Sequence, residues 1–149
     1  MKNDKMNALE KLLAQAIEAG QRQAAVLSQT QDQYRRALQL LNELQAHVIG
    51  YQQRQRDMDS ASVAWGKAQA MRGFISTLMM AVGSQRTEVN RLQALLDEQT
   101  KAWTATRQRA KALEALLVKR QAKARAAERQ REQAELDDWL LNQAARRAA

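Results

Sequence analysis

Few side chains in this sequence have the type and spacing that covalent chemistry requires. There is one histidine, His47, and no cysteine, so a His/Cys metal site is excluded. The adjacent carboxylates, Asp97/Glu98 and Asp137/Asp138, sit in helix-like sequence. Neighbouring residues on a helix project about 100° apart, which suits a solvated face rather than a paired acid and base. No glycine-rich phosphate loop or nucleophile elbow occurs, and the serines and threonines have no base nearby. The expectation is a protein without an active site and without a cofactor.

Binding chemistry is better represented. Leu40, Leu44, His47 and Tyr51 follow i, i+4, i+7, i+11, and Phe74, Leu78, Ala81 and Gln85 repeat those steps. Each set therefore lies along one side of a helix. Two readings stand: a widened helix–helix core, or a partner-binding patch anchored by Phe74 and Tyr51, aromatic types enriched in binding hot spots. A second cluster is basic: Lys119, Arg120, Lys123, Arg125, Arg129 and Arg131. Residues 101–149 carry 12 basic and 6 acidic side chains, a net +6, against +3 for residues 1–56 and −1 for residues 57–100. An acidic partner would dock on that last third.

The elements that must position these residues are helices. From Met71 the alternating four-three steps give Ile75, Leu78, Val82, Gln85, Val89, Leu92, Leu96, Gln99, Trp103, Thr106, Ala110, Leu113, Leu117, Arg120, Ala124, Ala127 and Arg131, mostly apolar. A sustained period of 3.5 residues is what a left-handed coiled coil needs. Met6, Leu9, Leu13, Ala16, Gly20, Gln23, Leu27, Thr30, Tyr34, Ala37, Leu41, Leu44, Val48 and Tyr51 form a matching stripe, weakest from Gly20 to Gln23. Proline is absent and aromatics are only 4%, so the chain can bury a narrow seam rather than a thick core. Trp65, Trp103 and Trp139 are read as packing on or beside that seam.

Periodicity breaks at residues 57–62, where Asp59, Ser60 and Ser62 could cap a new helix. The expected fold is all-α, an antiparallel two-helix coiled-coil hairpin forming one domain over 1–149. Helix 1 covers about 5–56, the turn about 57–61, helix 2 about 62–141 and a basic tail 142–149. A turn centred near 59 sets Met6 opposite Ala112 and leaves about 30 residues of helix 2 unpaired, in a helix about 120 Å long. Gly50, Gly66, Gly73 and Gly83 flank the turn and make it the softer end. The acidic stretch 132–138 ahead of Trp139, Leu140 and Leu141 reads as a short docking element or as a last helical turn packing on a neighbour.

Met1 to Glu10 lacks the apolar core of a signal peptide, and no run approaches the roughly 20 apolar residues of a membrane span. A soluble, cytoplasmic, elongated monomer is expected.

The run from Gln99 through Trp103, Arg109 and Leu113 to Arg120 resembles the second helix of the FliJ family, coiled-coil components of the bacterial flagellar type III export apparatus. Glu128 to Asp138 is similar to that family's C-terminal segment, and the hairpin layout extends the likeness over nearly the whole chain. The resemblance implies a non-enzymatic stalk, like the central coiled coil of a rotary ATPase. It implies as partners the export ATPase FliI, its regulator FliH, the export-gate protein FlhA and export chaperones, at the cytoplasmic side of the inner membrane, in the service of flagellar assembly and motility. The family's gate-binding patch falls on Leu40, Leu44, His47, Tyr51, Phe74, Leu78, Ala81 and Gln85. Leu40, His47 and Gln85 depart from the family's usual residues there. The stalk reading assigns ATPase-ring binding to Lys119, Arg120, Lys123, Arg125 and Arg129. Rival readings are the stalk of a virulence secretion system, a nucleic-acid binder and a structural coiled-coil dimer. Nucleic acid is not expected, because the basic third carries only two aromatics, Trp103 and Trp139, on which bases could stack.

Overall fold

The computed structural model describes residues 2–61 and 64–148, with the side chains of Lys2 and Asn3 also left undescribed. Two helices make up the fold, α1 (Lys2–Ser60) and α2 (Trp65–Ala148). They run antiparallel as a hairpin, and no strand occurs among the described residues. Strong helix formers and the absence of proline allow such lengths; the apolar stripes stabilise them, since propensity alone gives little.

All fourteen expected stripe positions of α1 are buried or half-buried. On α2 the stripe holds from Met71 to Leu117 and again at Ala124 and Ala127, but Arg120 and Arg131 are exposed. Gln121, one residue on, takes the half-buried place beside Arg120. No described side chain is fully enclosed; Leu92, at 2% exposure, comes nearest. Two helices can shield a side chain from two sides only, so the core stays narrow.

The contacts divide the chain into two compact units. One comprises residues 22–103 and holds the cluster Ala37, Leu41, Val89 and Leu92, flanked by Tyr34 and Val82. Here Gln85 Nε2 donates to the Ala37 carbonyl at 2.8 Å. Thr30, only 4% exposed, satisfies its hydroxyl on its own helix by donating to the Val26 carbonyl at 3.1 Å. The other unit comprises residues 1–21 with 104–149, and its buried residues are Leu9, Ala16 and Leu117. Gly20 belongs here; a Cβ at this position would meet Thr106 Cγ2 at 3.8 Å, an ordinary contact.

The turn falls later than the sequence suggests. Asp59 and Ser60 end α1 rather than capping α2, and Ser62 lies outside the described residues. Ser60 Oγ donates to the Arg56 carbonyl at 3.1 Å, a helical back-bond. Ala61 N–H closes on Asp57 O, and Ala64 O accepts from Lys67 and Ala68. Asp59 instead pairs with Arg72 at 3.7 Å. The later turn shifts the register, so Met6 lies beside Arg120 and Ala124, not Ala112. Residues 128–148 are exposed throughout, an overhang of 21 residues (148 − 128 + 1) rather than about 30. Of the tryptophans only Trp103 is half-buried on the seam; Trp65 is 76% exposed and Trp139 55%. Trp65 opens α2, where α1 is ending, and Trp139 lies on the overhang, so neither has a facing helix to cover it.

Candidate interaction surfaces

In the unit of residues 22–103, the side chains expected to form a patch do come together. The Tyr51 and Phe74 rings meet edge to face, with centroids 4.8 Å apart and planes at 83°. The Arg54 guanidinium lies 5.0 Å from the centroid of the Tyr51 ring. Taking that ring pair as the reference level, antiparallel register sets His47 level with Leu78, Leu44 with Ala81, and Leu40 with Gln85. The eight residues thus form one stripe along a flank of the hairpin.

Their exposure is mixed. Leu44, Tyr51, Leu78, Ala81 and Gln85 are half-buried, whereas Leu40 and Phe74 are each 46% exposed and His47 is exposed. The stripe is therefore neither enclosed core nor a free surface. Its buried half contributes to the hairpin, and its outer half presents an aromatic ring and a leucine to solvent. Spacing alone does not reveal the neighbouring Ile49, Met79 and Met80, which are 65%, 54% and 72% exposed. Their signal in the sequence is charge depletion: between Lys67 and Arg86 the single charged residue is Arg72.

The second surface lies in the other unit. Lys119, Arg120, Lys123, Arg125 and Arg129 are all exposed. Three of them, Lys119, Arg120 and Lys123, lie where α2 still runs beside the start of α1, and not on a free overhang. Arg120 and Lys123 join Lys5, Met6 and Ala124 around an open concavity of 260 Å³. Arg125 and Arg129 line a second, flatter face with Ala122, Glu128 and Glu132. Arg131 pairs with Glu128 within the helix. Sequence reasoning missed the part of Lys5 and Met6, because it set Met6 opposite Ala112.

Electrostatics on the exterior are local. Glu88 and Arg91 make a two-pronged pair, 2.9 and 2.7 Å, which holds the Glu88 carboxyl below its ordinary range and raises Arg91. No group of three or more potential metal ligands occurs among the described residues. No helix among the described residues is long and apolar enough to cross a membrane.

Two long helices packed along apolar stripes belong to the class of coiled-coil proteins. The family described as Flagellar FliJ protein matches this chain over residues 5–149, and the chain belongs to that family. It is a component of the flagellar protein export apparatus, a type III export system, and its family is a structural one of that apparatus. No curated protein and no solved structure matches it.

Proposed function

We propose that this chain is a stalk that joins the export ATPase to the export gate. The observation that carries the reading is that two unlike surfaces fall in different units of the chain. The apolar, aromatic stripe around Tyr51 and Phe74 lies in one unit, and the exposed cations Lys119, Arg120, Lys123, Arg125 and Arg129 lie in the other. An apolar stripe with two aromatic anchors suits a protein partner that desolvates it; here that partner is the gate protein FlhA. A basic helix suits an acidic collar, here the ring of FliI, with FliH and the export chaperones as further partners on the same apparatus. Engaged by both surfaces, a single copy relays the state of one partner to the other from the cytoplasmic side of the inner membrane.

The test is paired capture. Charge reversal at Arg120, Lys123 and Arg125 should reduce capture of purified FliI and spare FlhA. Phe74→Ala with Leu78→Ala should do the opposite, with the hairpin still helical by circular dichroism. If either set weakened both partners equally, the division of labour between the surfaces would be wrong.

A further inference from the structure

Beyond Leu117, α2 carries a second stripe that the seam does not use. Val118, Ala122, Arg125, Arg129, Glu132, Leu136, Trp139 and Gln143 follow unbroken four-three steps, one residue round from the buried Leu117 and the half-buried Gln121 and Ala124. All eight are exposed, Val118 at 55%, Leu136 at 50% and Trp139 at 55%. Its apolar members, Val118, Ala122, Leu136 and Trp139, flank a charged centre of Arg125, Arg129 and Glu132, so one exposed side of the helix joins apolar groups to an ionic middle. α1 covers the seam, not this face.

Charge says what does cover it. Residues 119–131 carry five cations outside the Glu128–Arg131 pair, and residues 132–141 carry four carboxylates and no cation. The two blocks lie end to end on one helix, so they cannot meet within one molecule. A parallel second helix would set cation on cation. An antiparallel copy sets each block on its opposite, twice, by the two-fold rule that residue i meets j and j meets i. The midpoints of the blocks, 125 and 136.5, require paired numbers to sum to about 261. The stripe is itself symmetric about that sum: Arg129 meets Glu132, Arg125 meets Leu136, Ala122 meets Trp139, and Val118 meets Gln143. Small thus faces large at Ala122 and Trp139, and the arginine stem covers leucine at Arg125.

From this we infer that a second copy of the chain docks antiparallel on this face, making a two-fold dimer through residues 118–143. The contact is a helix pair of 26 residues (143 − 118 + 1), about 39 Å long. With two tryptophans and two leucines as its apolar anchors, it belongs with weak, reversible interfaces. The inference does not rest on the stalk reading. The two interact in one respect: Arg125 and Arg129 serve both, so docking into a ring and self-pairing exclude each other.

Sedimentation of the purified full chain tests it with two variants. One carries Arg125→Glu and Arg129→Glu, the other Glu132→Lys and Glu135→Lys; all four positions are exposed, so folding is spared. Wild type should dimerise with rising concentration, and less so in high salt. Each variant alone should dimerise at least about tenfold more weakly, because like charges then face each other. The equimolar mixture should recover, since the reversed positions 129 and 132 then face each other and the reversed basic block of one copy lies on the reversed acidic block of the other. Register is read separately, because the chain has no cysteine of its own. Copies carrying Val118→Cys should form disulfides with copies carrying Gln143→Cys in preference to themselves. A wild type that stays monomeric at hundreds of micromolar, a mixture that fails to recover, or preferential self-linking of either cysteine variant would each overturn the inference.

Discussion

Phe74 sits where hairpin stability and the proposed partner binding overlap, and its contribution to stability follows from its surroundings. The side chain is 46% exposed, so about half of it is shielded. Full burial of a phenylalanine contributes roughly 1.5–3 kcal/mol, and half of that is about 1 kcal/mol. The edge-to-face contact with Tyr51 at 4.8 Å adds about 0.5–1.5 kcal/mol beyond area. Phe74→Ala should therefore cost about 2 kcal/mol, well short of the roughly 3–5 kcal/mol of an enclosed phenylalanine. Phe74→Leu keeps most of the buried area and should lose mainly the ring term.

A double-mutant cycle with Tyr51→Leu and Phe74→Leu isolates that term, because the Arg54 contact with the Tyr51 ring is lost in both legs and cancels. Urea unfolding followed by far-ultraviolet dichroism supplies the four stabilities. A coupling of about 1 kcal/mol is expected. A coupling below a few tenths would mean that the rings do not meet in solution, and the flank would be two separate residues rather than one stripe. A loss above about 4 kcal/mol for Phe74→Ala would place the ring in enclosed core and withdraw it as a binding anchor.

Two further substitutions test the seam. Gly20→Ala should stabilise the chain by about 0.5–1 kcal/mol, because the new methyl meets Thr106 Cγ2 at an ordinary 3.8 Å and alanine favours helix; a fall in the melting temperature would show that the helices approach more closely there. Gln23 and Gln99 each bury an Oε1 that lacks a hydrogen-bond partner. Gln99→Leu should stabilise by about 1 kcal/mol, since an unsatisfied buried acceptor is costly and leucine suits both seam and helix; loss of stability would show that the amide is satisfied in solution.

The seam was legible in the sequence because period is a property of composition along one helix. Leu9, Leu27, Leu41, Ile75 and Leu92 announce their burial without reference to what covers them. Position across the hairpin was not legible in the same way. Asp57 to Ser60 reads as a turn by residue type, yet each of these residues also tolerates a helix, and Ser60 settles by bonding back to Arg56. An error in the turn is doubled on the opposite helix, since the pairing sum is twice the turn's centre. Moving the centre from 59 to between Ala61 and Ala64 moves the partner of Met6 by about a heptad, from Ala112 to the neighbourhood of Arg120.

The same doubling decides which cations stand alone. With the turn near 59, Lys119, Arg120 and Lys123 belong to an overhang. With it at its observed place they flank the start of α1, and Lys5 joins them. The overhang that remains, residues 128–148, is not a basic spike. It begins with Glu128, Arg129 and Arg131, turns acidic through Asp138, exposes Leu136, Trp139, Leu140 and Leu141, and becomes basic again at Arg146 and Arg147. A segment of alternating sign with apolar residues at its centre discriminates between partners by register as well as by charge. A purely basic helix would bind any polyanion. By the same physics, this one favours a surface whose own charges alternate in step with it over a uniform polyanion.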